Sequence, residues 1–197
     1  MKQRQSVRAT AREHLLALPG DEMIRSAAHT LTHAITVHCS RRELWPWLIQ
    51  MGADRAGWYS YDVLDNGGRR SVEHIVQGLQ SPPVGAVFPA LPGERDGFIL
   101  LESEPTKWLV LGWHGPDGGL NVTWSFMLVD VDDNTTRLIV RARARDDCRF
   151  HGLPKAVGFW LVRMVHSVME RKQLLEIARR AERHVDKGAL DEYQAPG

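Results

Sequence analysis

The last quarter of the chain constrains the fold most. Between Pro154 and Val185 there is no internal proline, and Gly158 is the sole internal glycine. This stretch predicts one long helix of roughly 30 residues, about 45 Å at the usual rise. On a helical wheel Val157, Leu161, Met164, Val168 and Leu175 share one face, while Arg163, Glu170, Arg180 and Glu182 lie off it. A helix of this length cannot hide such a stripe alone and needs a sheet to cover it.

The preceding residues supply that sheet. Residues 29–39 alternate, with Leu31, His33, Ile35 and Val37 on one face, and their β-branched content predicts a strand. Ser40 is an N-cap for a helix running through Leu44, Trp47, Leu48 and Met51, with Pro46 in its first turn or at a kink, and Gly52 ends it. A second short helix is expected over 57–65, stopped by Asn66-Gly67-Gly68. Residues 69–84 read as irregular. Strands follow at about 85–89, 97–103, 107–114, 120–130 and 135–146, separated by turns such as Pro92-Gly93 and Asp132-Asp133-Asn134. Val122, Trp124, Phe126 and Leu128 form one inner face, and Leu138, Val140, Ala142 and Ala144 another. The short turn between these two strands predicts a hairpin. A strand run followed by a terminal helix implies an α+β fold, not a parallel α/β sheet.

Composition narrows the function classes. The 25 Lys+Arg residues against 24 Asp+Glu leave a net charge of +1, so no global field draws the chain to nucleic acid. No apolar run is long enough to span a bilayer. Cys39 and Cys148 are the two cysteines, without metal-ligand spacing, and reduced thiols in a cytoplasm are the expectation. Residues 2–18 are basic, with Val7, Ala11, Leu15 and Leu18 at helical spacing. They read as a surface helix ending at Pro19-Gly20, in preference to a transit peptide.

Several stretches resemble the START/Bet v1-like helix-grip superfamily, and within it the bacterial polyketide cyclase/dehydrase-like branch. They are Ile35-Thr36-Val37, Leu44 to Gly52 (LWPWLIQMG), Arg55 to Asp62 (RAGWYSYD), Thr123-Trp124-Ser125-Phe126 and Met169-Glu170-Arg171-Lys172. They span roughly residues 30–185. The resemblance implies a seven-stranded curved antiparallel sheet wrapped around the last helix, with a cavity between them for a lipid, polyketide or aromatic molecule. It carries over no catalytic motif, because such folds host enzymes, carriers and receptors alike. The expected organisation is an extension at 1–28, a helix-grip domain at 29–186 and a tail at 187–197.

The candidate site follows from residues near that cavity. On the wheel Arg171 lies about 20° from Met164, so its charge must be paired, for example with Asp62, or must hold an anionic ligand group. Lys172 lies at the edge of the stripe. Trp58, Tyr59, Tyr61 and Asp62 offer aromatic surface with polar tips, while Trp124, Phe126, Met164 and Val168 would line the inner wall. If a reaction occurs, Asp62, Tyr61 and Arg171 are the weak catalytic candidates. Of Trp108 and Trp113, at most one faces inward, since they have opposite parity. His166 and Glu170 are helix neighbours suited to a surface pair or a proton relay. Arg137, Arg141, Arg143 and Arg145 form a basic stripe, read as the solvent face of the sheet balanced by nearby acids. No metal and no cofactor are called for. The leading function is binding a hydrophobic or amphipathic small molecule. The alternatives are a cyclase, dehydratase or hydrolase acting on a polyketide-like or aromatic substrate, and a protein-interaction module with a filled core. A homodimer is the assembly to test, and no nucleic-acid partner or membrane span is expected.

Overall fold

The computed structural model describes residues 5–93, 96–115, 117–145 and 168–185. Its strands are β1 (His29–Val37), β2 (Val87–Pro89), β3 (Gly97–Glu104), β4 (Trp108–His114), β5 (Leu120–Asp132) and β6 (Thr135–Ala144). They form one antiparallel sheet in the order β1-β6-β5-β4-β3-β2. The helices are α1 (Ala11–Leu15), α2 (Arg41–Ile49), α3 (Asp62–Asp65) and α4, which occupies residues 168–185. The expected start of α4 at Pro154, and with it Val157, Leu161, Met164, His166 and Cys148, lies outside the described residues.

The sheet has six strands among the described residues, not the seven that the resemblance implies. Six is the number that direct reading of the alternation predicts. Residues 69–86 add none. Gln50 ties this stretch down by accepting from the Val76 amide and donating to the His74 carbonyl. Pro82-Pro83, which lack ladder donors, close it.

The inner face of the sheet is built as the alternation predicts. Ile35, Val37, Leu138, Val140, Trp124, Phe126, Leu128, Leu109, Leu111 and Leu100 join Leu44, Trp47 and Leu48 of α2, and Leu174, Ile177, Ala178 and Ala181 of α4, in one core. The β5–β6 hairpin forms as expected. Ser40 caps α2 through a capping box with Glu43, and Pro46 lies inside that helix.

Two local expectations change. The helix over 57–65 contracts to α3, because Gly57 (φ +84°) and Tyr59 (φ +57°) have left-handed backbones that no α-helix tolerates. The backbone at Gly57 packs directly on Ser71, where an added Cβ would sit 2.2 Å from Oγ and 2.9 Å from Cα. Gly57→Ala is therefore expected to lower stability by roughly 2–4 kcal/mol, from a disfavoured φ plus a clash with backbone. An unchanged urea midpoint would contradict this. At the N-terminus, among the described residues 5–18, the helix expected over 2–18 is reduced to the five residues of α1, capped by Thr10 and Glu13. Leu15 is exposed, whereas Val7 and Leu18 are buried by the sheet.

The basic stripe on β6 is not a solvent face. The N-terminal segment lies across it. Arg137 binds Glu13 at 2.7 Å and donates to the Arg8 carbonyl. Arg143 donates to the Ile24 carbonyl. Arg141 is 3% exposed, and all five of its N–H donors are used. They reach Thr32 Oγ1, Asp21 Oδ2 and the carbonyls of Glu13, His14 and Leu16. The expected acids are present, but they belong to the covering segment. Alternation identifies residues that share a face without saying what lies on it. Gly20 (φ +85°) permits the close approach, since a Cβ there would meet Val110 Cγ1 at 2.7 Å.

Candidate functional site

The inward face of α4 lies roughly 150° around the helix from the stripe read off the wheel, close to its opposite side. Its buried residues are Glu170, Gln173, Leu174, Ile177, Ala178, Arg180 and Ala181, while Val168 is 49% exposed. Three polar side chains on the true face displaced the apparent apolar stripe. Each has partners or surroundings that only other elements provide. Arg171 is exposed and does not pair with Asp62. The charges that enter the interior are Glu170 and Arg180.

Glu170 is the centre of the site. Its side chain is fully buried, and Oε2 lies 2.7 Å from His33 Nδ1 on β1. The other oxygen, Oε1, accepts from Trp124 Nε1 of β5 at 3.2 Å. The hydrogen bond to Glu170 raises the His33 pKa above its ordinary value, against the opposing effect of burial. A buried carboxylate is thus held by an imidazole and an indole from two different strands.

From Trp124 a row of rings runs along the inner face. Trp58 stacks on Trp124 at 5.6 Å between centroids, and Phe98 contacts both, at 5.8 and 5.2 Å. Trp113 meets Phe98 edge-on at 5.4 Å, and Phe126 lies 4.9 Å from Trp124. Phe126 is fully buried, whereas Phe98 and Trp113 are half-buried, so the row passes from the interior toward the surface. Trp113 is the inward tryptophan of β4, and Trp108 instead donates to Glu104 at the surface. Trp58 donates its indole N–H to the Pro89 carbonyl, which fixes its ring plane.

The remaining predicted residues gather elsewhere. Tyr59, Asp62 and Ser71 line a cleft of about 330 Å³ with Arg70, Lys172 and Arg180. Tyr59 accepts a hydrogen bond from Gln50 Nε2 at 2.7 Å, and Arg180 lies over its ring at 4.9 Å. Burial pushes its phenol well above the usual tyrosine range. Asp62 accepts from Ser71 Oγ at 2.5 Å. Tyr61 is exposed, and Arg171 faces a different cleft, so the three catalytic candidates do not converge on one point. Glu170 is in contact with His33, and His166, considered as its helix neighbour, lies outside the described residues. Phe98, Trp113 and the Glu170–His33 pair were missed as site residues. The one available signal was the shared strand face of His33, Ile35 and Val37.

Asp65, on α3, is a buried acid with no ion pair among the described residues. Its oxygens lack hydrogen-bond partners of good geometry, and Ser60 and the local backbone favour its charged form only weakly. Burial first, and the Asp62 charge second, push its pKa up to about 6. The unfolded chain ionises near 4, so stability should fall as pH rises from about 4 to 6 and stay level above. Asp65→Asn is expected to gain about 1–2 kcal/mol at pH 8 and nothing at pH 4. Urea denaturation at both pH values checks this, and an equal effect at the two would refute the assignment.

The antiparallel sheet, the two helices between β1 and β2, and the terminal helix across the inner face settle the architecture. The chain has a helix-grip fold. Among solved structures this helix-grip chain is similar to a protein from Thermobifida fusca, with 17% identity and a TM-score of 0.47, over 78% of this chain and 93% of that one. It is also similar to the self-sacrificing resistance protein CalC from Micromonospora echinospora, at 14% identity and a TM-score of 0.39, over 81% and 95% of the two chains. The Zhui aromatase/cyclase from Streptomyces sp. R1128 gives 14% identity and a TM-score of 0.40, over 80% and 95%. No family model and no curated protein matches the chain. Among the described residues, no helix is long and apolar enough to cross a membrane.

Proposed function

We propose that this helix-grip protein binds an amphipathic small molecule with a planar aromatic body, held between the sheet and the C-terminal helix. The observation that carries this reading is the row Trp113–Phe98–Trp58–Trp124, which ends on a buried, hydrogen-bonded carboxylate. Rings that pass from half-buried to buried offer a stacking surface for an apolar plane. Glu170, seated beside His33, supplies a polar end that fixes orientation, as in pockets where a few polar groups sit in an apolar wall. Trp58, Trp124 and Phe126 are thus ligand-facing residues from the sequence analysis, joined by Phe98, Trp113, Glu170 and His33. Among the described residues, the catalytic candidates Asp62, Tyr61 and Arg171 do not share one cleft, which favours the binding reading.

Titration of the full chain with 2-naphthol, followed by tryptophan emission, tests the reading. Saturable quenching is expected, and Phe98→Ala should weaken it about tenfold, since stacking surface is lost. A linear, non-saturating response, or equal affinity in a folded Phe98→Ala variant, would sink it.

A further inference from the structure

A separate cleft of about 370 Å³ opens at the free edge of β1, where the N-terminal segment, β1 and α4 meet. Its size falls within the range of about 300–1,000 Å³ typical of small-molecule sites. Among the described residues, the polar lining is Arg8, His14, Thr32, His33 and Arg171, with no carboxylate. Glu170, which touches the lining residue His33, is engaged by His33 and Trp124, and Glu13, beside His14, is engaged by Arg137. Arg171 acts electrostatically on His33, so the charges are close enough to be coupled.

This lining contrasts with the other arginines of the same surfaces. Arg137, Arg141 and Arg143 are matched to Glu13 and Asp21, and Arg179 and Arg180 to Glu73 and Glu176. Arg8 and Arg171 have no ion pair among the described residues. Arg8, Arg171 and His14 therefore border one concavity from stretches of chain remote in sequence, beside Thr32 and His33, which are held by Arg141 and Glu170. Like charges gathered on a concavity repel one another unless an anion joins them.

We propose that this cleft binds a phosphate group carried by a small molecule. Donors approaching from several directions suit a tetrahedral, doubly charged oxyanion with many acceptor sites, and guanidinium groups pair with phosphate through parallel N–H donors. The site is distinct from the aromatic row, although His33 borders both. A phosphate could come from a free ester or from a lipid headgroup, and the test separates these.

The full chain is titrated calorimetrically at pH 7 with phenyl phosphate, and separately with vesicles of phosphatidic acid in phosphatidylcholine. Arg171→Ala and Arg8→Ala are each expected to weaken phenyl phosphate binding about tenfold, and the double variant to abolish it. Both side chains are exposed, so folding should be retained, as circular dichroism would check. Arg42→Ala, which removes an exposed charge on α2 outside the cleft, should change nothing. Binding should also weaken as salt rises from about 50 to 200 mM. Absence of binding, affinity unchanged in the double variant, or binding to vesicles without binding to phenyl phosphate would overturn the proposal. Because 2-naphthol carries no phosphate, its titration reports on the aromatic row independently. Loss of one result leaves the other standing.

Discussion

Replacing Arg141 by methionine is expected to lower the stability of the whole domain by about 3–5 kcal/mol, the usual cost of removing one partner from a buried, hydrogen-bonded ion pair. Methionine keeps much of the side-chain length, so the loss measures the guanidinium and not a cavity. Three carbonyls of the N-terminal segment and the Asp21 carboxylate lose their donors together. Hydrogen exchange should then rise across residues 8–25 more than in β4 and β5. Arg141→Lys should recover little, because an ammonium has three donors and no planar fork to reach five acceptors. A variant with a wild-type urea midpoint and unchanged exchange in the segment would show that the N-terminal residues do not depend on this clamp.

Glu170→Ala is expected to cost about 3–5 kcal/mol near pH 6, since it removes the acceptor of a buried indole and the counter-charge of His33. The sign of the pH dependence follows from His33. Its folded pKa is raised by the bond to Glu170. The pair thus stabilises fully below the unfolded value near 6.5, and this contribution fades as pH rises through the folded value. Glu170→Gln preserves shape and an acceptor for Trp124. It should lie well below wild type at pH 6 and draw closer to it above the folded His33 value. Parallel stability profiles for wild type and Glu170→Gln over that interval would exclude His33 as the titrating partner.

These two side chains also mark where sequence reasoning stops. Arg141 was visible as one member of a charged stripe, and parity placed it correctly on the outer face. Parity alone could not show that residues 8–25 cover that face. Glu170 was visible on the terminal helix but fell off the apolar wheel. A helical wheel weighs hydrophobicity, and a buried carboxylate looks polar until His33 and Trp124, 137 and 46 residues away in the chain, are seen to bind it. The same blindness pointed the wheel toward Val168 and Arg171, both of which are exposed. The 57–65 helix failed for a different reason. Tertiary packing at Ser71 and left-handed backbones at Gly57 and Tyr59 override a local pattern that is compatible with a helix.

By itself the sequence determined whatever depends on local periodicity. That covers the alternation of β1, β5 and β6, the inner faces of the hairpin, the Ser40 cap and the α+β order that ends in a helix. These features survive because period-two and period-3.6 burial is written into neighbouring residues. Only the tertiary structure decided which face of the last helix turns inward, what lies on the basic strand, and which charges meet. Those outcomes depend on contacts between residues 46 to 137 positions apart, where a polar side chain can be buried if its partner arrives from another element.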